Sequence, residues 1–177
     1  MSRLASKPIP FESAVTIEIG NDKVRVKGPK GELSVPLHAG VDVSTEPGQI
    51  WVKRQEERYR AAQGLIWSLI RNAVTGVTQG FSQKLEIVGK GWRSQVKGNV
   101  VNLQVGHSHP VNFELPEGIT ASQENPGSFT LHSHDKQLLG QVCANIQKLR
   151  PVEPYKLKGI RLEGQYLRQK VRKTAGV

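Results

Sequence analysis

At 177 residues with a 37% hydrophobic share, the chain is long enough for one domain or two small ones, each with a modest core. Its formal net charge of +10 and pI near 9.9 argue for an acidic partner, either nucleic acid or an anionic membrane surface. The lone Cys143 excludes an intrachain disulfide, no apolar run approaches the ~18 residues of a spanning helix, and the N-terminus lacks a signal-type apolar stretch, so a soluble, intracellular, basic protein is expected.

In chain order, Val15–Ile19, Val24–Lys27, Glu32–Val35, Val41–Ser44 and Gln49–Lys53 carry the period-two pattern of half-buried strands. Val24-Arg25-Val26-Lys27 shows it most cleanly, with valines on one face and cations on the other. Asn21-Asp22, Gly28-Pro29-Lys30-Gly31 and Pro47-Gly48 supply turn chemistry. A helix is then predicted over Glu56 to Val77, with Ala62, Ile66, Leu69, Ile70, Ala73 and Val77 on its buried face.

The order then recurs. Lys84–Val88, Arg93–Lys97, Val100–Val105, Val111–Leu115, Ile119–Ser122 and Ser128–His132 are predicted strands, broken by Gly89, Gly98, Pro116-Glu117-Gly118 and Pro126-Gly127. A second helix follows from Asp135, a candidate N-cap, to Lys148, with Leu138, Val142, Ile146 and Leu149 as its stripe and Pro151 as its stop. The expected fold is α+β: two tandem, duplicated domains, each a small antiparallel sheet with a packed helix, plus a basic C-terminal tail. Residues 1–81 make the first domain, 82–150 the second and 151–177 the extension.

Lys148 to Val177 holds a net +7 of the chain's +10. Each Lys or Arg that neutralises a phosphate releases a condensed counterion, so such a segment suits a polyanion with recurring phosphates. A solvated, disordered end is the plain alternative for a basic run. Against it, Tyr155, Ile160, Leu162, Tyr166 and Leu167 interleave with the cations, and Gly159 permits close backbone approach to another chain. Pro151, Pro154 and Gly159 interrupt any amphipathic membrane helix before Gly164.

Other motifs give little chemistry. Gly28-Pro29-Lys30-Gly31 has no GxxxxGK[ST] context and is a hairpin turn. Gly89-Lys90-Gly91-Trp92-Arg93 is a glycine-kinked connection that displays an aromatic and a cation, with RNA stacking on Trp92 or contact with Arg93 as the functional alternative. His107 with His109, and His132 with His134, share strand faces two residues apart, yet no cysteine or carboxylate set completes a metal site. Cys143 fills a core gap on its helix. Glu56-Glu57, followed by Arg58 and Arg60, is a solvated helix start rather than a catalytic pair.

Several segments resemble one known family, the large-subunit ribosomal protein L6 family of bacterial type. The tail Glu153-Pro154-Tyr155-Lys156-Leu157-Lys158-Gly159-Ile160-Arg161 resembles its most specific motif, and Val26-Lys27-Gly28-Pro29-Lys30-Gly31-Glu32-Leu33 resembles its first hairpin. Phe81, Lys84-Leu85, Val88-Gly89, Gly91 and Arg93, then Ser108-His109-Pro110, Pro116 with Gly118-Ile119, and Lys136-Gln137 with Gly140-Gln141, follow its pattern in order. The chain departs from that pattern at Leu157, where the family usually has glycine, at Val152 for proline, and at Leu162 for an aromatic. On the first helix, Gly64-Leu65-Ile66-Trp67 loses a polar group and a cation, which Arg71 is placed to replace.

The resemblance implies a structural constituent of the large ribosomal subunit that binds large-subunit ribosomal RNA through its second domain and tail, near where elongation factors engage. It makes His109 part of a structural turn. It implies RNA contacts at Tyr155, Lys156, Lys158, Gly159, Arg161, Arg168, Lys170, Arg172 and Lys173, with Lys84 and Arg93 as a second tier. Neighbouring large-subunit proteins are implied partners, in a cytoplasmic or organellar ribosome. No catalytic residue, metal, cofactor, membrane or small-molecule substrate is expected. Two other classes stay open on residues alone: a free-standing RNA-binding regulator using the same tail, and a metal-dependent enzyme built on the histidine pairs.

Overall fold

The computed structural model describes residues 4–171, so Arg172 and Lys173 of the expected RNA-binding set lie outside the described residues. The chain divides into two compact units: residues up to Gly80 with His134–Lys136, and Phe81–Ser133 with the residues from Gln137 onward. Both are α+β with antiparallel pairing throughout.

The first unit contains β1 (Ile9–Pro10), β2 (Thr16–Ile19), β3 (Lys23–Gly28), β4 (Gly31–Pro36), β5 (Val41–Glu46), β6 (Gln49–Arg54) and α1 (Arg60–Thr78). The strands form two sheets, β1-β6-β5 and β2-β3-β4, rather than the one sheet expected. Alternation decides what each buries: Val24 and Val26 are fully buried while Lys23, Arg25 and Lys27 are exposed. The β3–β4 hairpin turns at Pro29-Lys30 with Gly28 opposite Gly31. A Cβ on Gly28 would come within 2.7 Å of Val77, so glycine lets this hairpin end lie against α1. Lys30 secures the contact, its backbone N–H donating to the Val77 carbonyl at 3.0 Å and its ammonium to the Gln79 carbonyl.

The predicted stripe of α1 is buried at Ile66, Ile70, Ala73 and Val77, widened by Trp67 and Val74. Trp67, where the resemblance leads one to expect a cation, is a core residue whose indole N–H donates to the Lys7 carbonyl at 2.8 Å. Arg71 lies over its ring at 5.5 Å. Buried Gln63 links helix to strand: its amide donates to the Val52 carbonyl at 2.8 Å and its oxygen accepts from Arg54 at 2.9 Å. The helix begins at Arg60 instead of Glu56. Glu56 is extended and Glu57–Tyr59 forms a 3-10 turn, tied by Arg54–Glu57 and Arg58–Glu56 ion pairs.

The second unit contains β7 (Phe81–Val88), β8 (Arg93–Lys97), β9 (Val100–Gln104), β10 (Val111–Glu114), β11 (Ile119–Asn125), β12 (Ser128–Ser133), α2 (Lys136–Leu149) and β13 (Gly159–Leu162). Its sheets are β10-β9-β8 and β11-β12-β7-β13. The pairing order of the first unit recurs, β7-β12-β11 matching β1-β6-β5 and β8-β9-β10 matching β2-β3-β4, with one addition. A strand from the basic tail, β13, pairs along the outer edge of β7. That long strand would otherwise present unpaired N–H and C=O groups. Leu85, Ile87, Phe129, Leu131, Val142, Ile146 and Ile160 share the core of this unit.

A candidate nucleic-acid interface on the tail

The tail leaves α2 at Leu149, and Pro151 cannot extend the helix. Two backbone bonds then close the loop Glu153–Lys158: Glu153 N–H to the Lys158 carbonyl at 2.8 Å, and Leu157 N–H to the Glu153 carbonyl at 2.9 Å. The closure places Leu157 at φ 55, a left-handed conformation that costs a side-chain-bearing residue roughly 1–2 kcal/mol. Glycine, expected there from the resemblance, is free of that cost. The loop presents Tyr155, 42% exposed, beside exposed Lys156, while Lys158 is half-buried.

Gly159 follows at φ 151, and its role is internal. A Cβ would lie 2.5 Å from Val152 Cα and 2.9 Å from the Pro151 carbonyl carbon, so the close approach that needs glycine is to its own chain. Ile160 is buried in the core, and its N–H donates to the Arg150 carbonyl at 3.0 Å. Strand alternation then turns Arg161 outward, where its Nε donates to Glu86 at 2.8 Å. One residue beyond β13, Glu163 accepts from Lys84 at 2.7 Å. That hydrogen bond and the carboxylate's charge hold the Lys84 ammonium above its ordinary pKa.

Past Gly164 the chain doubles back. Gln147 donates to the Gln165 side chain at 3.1 Å, Gln169 to the Tyr155 carbonyl at 2.9 Å, and the Lys170 N–H to the Pro154 carbonyl at 2.9 Å. The returning segment therefore brings Arg168 and Lys170 to the loop that carries Tyr155 and Lys156. Tyr166 stands 90% exposed on it. Among the described residues, Lys156, Lys158, Arg168 and Lys170 have no ion-pair partner, whereas Arg161 and Lys84 are paired within the chain. Arg93 sits apart on β8, its Nε donating to Gln104 at 2.6 Å.

Sequence reasoning placed Trp92 as a displayed aromatic. Instead it is half-buried and packed: Cβ atoms on Gly89 and Gly106 would fall 2.3 Å and 3.0 Å from its ring, and the Arg150 guanidinium lies over it at 5.3 Å. Arg150 thereby ties the start of the tail to the β7–β8 connection. Neither it nor the acids Glu86 and Glu163 could be singled out beforehand, because their partners are distant in sequence. Two histidines of the pairs are hydrogen-bonded within the second unit. His132 shares a 2.9 Å hydrogen bond with Ser122, and His107 Nε2 donates to the Leu149 carbonyl at 3.1 Å. Among the described residues, no group of three or more His, Cys, Asp or Glu could hold a metal. Burial pushes the Cys143 thiol up to about 11, so it stays protonated and unreactive at neutral pH.

Residues 11–80 and 88–163 match the family model described as Ribosomal protein L6. The large ribosomal subunit protein uL6 of Rubrobacter xylanophilus is 47% identical over 176 residues, 98% of this chain and 99% of its own length. The proteins of the same name from Nitratidesulfovibrio vulgaris and Desulfovibrio desulfuricans are 43% and 45% identical over 178 residues, each covering 99% of both chains.

Proposed function

Because the chain belongs to the ribosomal protein L6 family, we propose that its second unit and basic tail bind large-subunit ribosomal RNA near the region where elongation factors engage. It is a structural, non-enzymatic component of the ribosome. In this reading residues 1–81 and 82–150 are its two domains. Residues 151–177 are the RNA-binding extension, with Gly159–Leu162 woven into the second domain's sheet. Neighbouring large-subunit proteins and a place on the cytoplasmic ribosome belong to the same proposal.

The observation that carries it is the doubled tail, in which the segment with Arg168 and Lys170 is hydrogen-bonded back to the Pro154 and Tyr155 carbonyls of the loop that carries Lys156 and Lys158, next to the strand pairing of β13. Ordering before binding lowers the conformational entropy lost on association. Unpaired cations release counterions from RNA phosphates, and Tyr155 offers a face for a base or sugar. Arg161 and Lys84 act one step back, holding the strand that presents the loop. Affinity here comes from backbone charge and shape, since no recognition helix or aromatic RNA-binding sheet is present among the described residues.

The test is the salt dependence of binding to large-subunit RNA. Lys156→Ala with Lys158→Ala should weaken binding across RNA sequences and flatten the slope of log affinity against log salt by roughly two, about one per phosphate contact. An unchanged slope would make those lysines solvated charge and remove the loop from the interface.

A further inference from the structure

The outer face of β8–β10 carries a second polar surface. Alternation sends Arg93 and Gln95 to one side of β8, and register places Gln104 opposite Arg93 and Asn102 opposite Gln95. The turn of the β11–β12 hairpin walls this face, leaving a groove of about 510 Å3 whose rim includes Glu124 and Asn125. Its floor is fixed: Gln123 donates to the Ser94 carbonyl and hydroxyl, both at 2.9 Å, and accepts from the Val96 N–H at 2.9 Å. The volume falls within the roughly 300–1,000 Å3 of small-ligand sites.

The amides lining it are only partly used. Gln104 accepts from Arg93 through its oxygen, which leaves its NH2 free to donate. Asn102 donates to Asn112 at 2.6 Å, which leaves its own oxygen free to accept. Gln95 has no side-chain partner among the described residues, and with Nε engaged, the terminal nitrogens of exposed Arg93 have no hydrogen-bond partner there either. Free donors and acceptors held side by side beside one guanidinium match the edge of a base joined to a phosphate. Glu124 disfavours a second phosphate and favours a base with an exocyclic amine, since a carboxylate accepts but does not donate.

We propose that this groove takes one unpaired, amine-bearing nucleotide, with the phosphate on Arg93 and the base edge on Gln95, Asn102 and Gln104. The inference rests on the RNA-binding reading and adds one base-reading element to a contact otherwise made through charge and shape.

The experiment titrates the 15N-labelled full chain with AMP, UMP and inorganic phosphate while following side-chain amide and arginine Nε–H resonances. AMP should move the Gln95, Asn102 and Gln104 amides, UMP should move them less, and phosphate should act only at Arg93. Gln95→Ala with Asn102→Ala, both at solvent-accessible positions, should weaken AMP binding about tenfold. Amides that ignore AMP, or respond equally to AMP, UMP and phosphate, would overturn the proposal. The tail variant Lys156→Ala with Lys158→Ala should leave the AMP titration unchanged. Failure of the tail reading therefore appears in the salt slope, and failure of the groove in the titration.

Discussion

Replacing Gly159 by alanine tests whether the tail is a built part of the second unit. The added Cβ meets backbone, not a movable side chain: Val152 Cα at 2.5 Å, Val152 N at 2.7 Å and the Pro151 carbonyl carbon at 2.9 Å, at φ 151. If the chain holds its course, backbone strain costs about 1–3 kcal/mol and overpacking about 1–3 kcal/mol more. If β13 frays instead, the buried Ile160 side chain is exposed, a loss of about 1.5–3 kcal/mol. The first route costs about 2–6 kcal/mol and the second about 1.5–3 kcal/mol, so fraying is the cheaper and sets the loss. Native-state hydrogen exchange at the Ile160 N–H, which donates to the Arg150 carbonyl, reads this directly, with protection falling on the order of 100-fold. Gly140→Ala is the control. It adds a Cβ on α2 with nothing within 4 Å and should stabilise by about 0.5–1 kcal/mol. A change at Ile160 under about fivefold, near 1 kcal/mol, would refute the packing argument.

Arg161→Gln should leave the salt slope of RNA binding nearly unchanged, because the guanidinium is engaged by Glu86, in contrast to the Lys156/Lys158 pair. A slope reduced by a full unit would instead put Arg161 on a phosphate. Cys143 should resist iodoacetamide at pH 8 in the folded chain and react readily in urea, as counted by mass spectrometry, because its thiol lies near 11 rather than 9.0. Above pH 9 the unfolded chain loses this proton first, so the stability contributed by the buried thiol is full below 9.0 and declines as pH rises towards about 11. Glu163→Gln should return the Lys84 ammonium towards 10.5, measured by NMR titration. An unmoved value would show the ion pair is not what raises it.

Elements with a strong local signal were legible in the sequence. The valines of β3 and the Ile66–Ile70–Ala73–Val77 stripe of α1 are buried as their periodicity demands, because a period of two or of 3.6 has only one face to give the core. β1 and β13 escaped that logic. Ile9–Pro10 is too short to show a period, and Gly159–Leu162 is embedded in a cation-rich tail whose composition points to an extension; both are strands because β6 and β7 lie beside them. Trp67 illustrates the same limit: its place on α1 was visible, but its bond to the Lys7 carbonyl and its burial depend on the packed unit. At the candidate site, the cation-rich tail was plain in composition. The division of its charge was not, because Glu86 and Lys84 lie far upstream of Arg161 and Glu163. Nor could spacing reveal that Gly159 serves Val152, although Leu157 marked the loop as unusual and its φ of 55 supplies the reason.

Quantitative mass spectrometry of sucrose-gradient fractions from cells that make this protein tests the central claim most directly. The account predicts a stoichiometric presence in the large-subunit fraction that survives a moderate-salt wash and falls when Lys156 and Lys158 are both alanine. Recovery of the chain wholly in the ribosome-free fraction would contradict it.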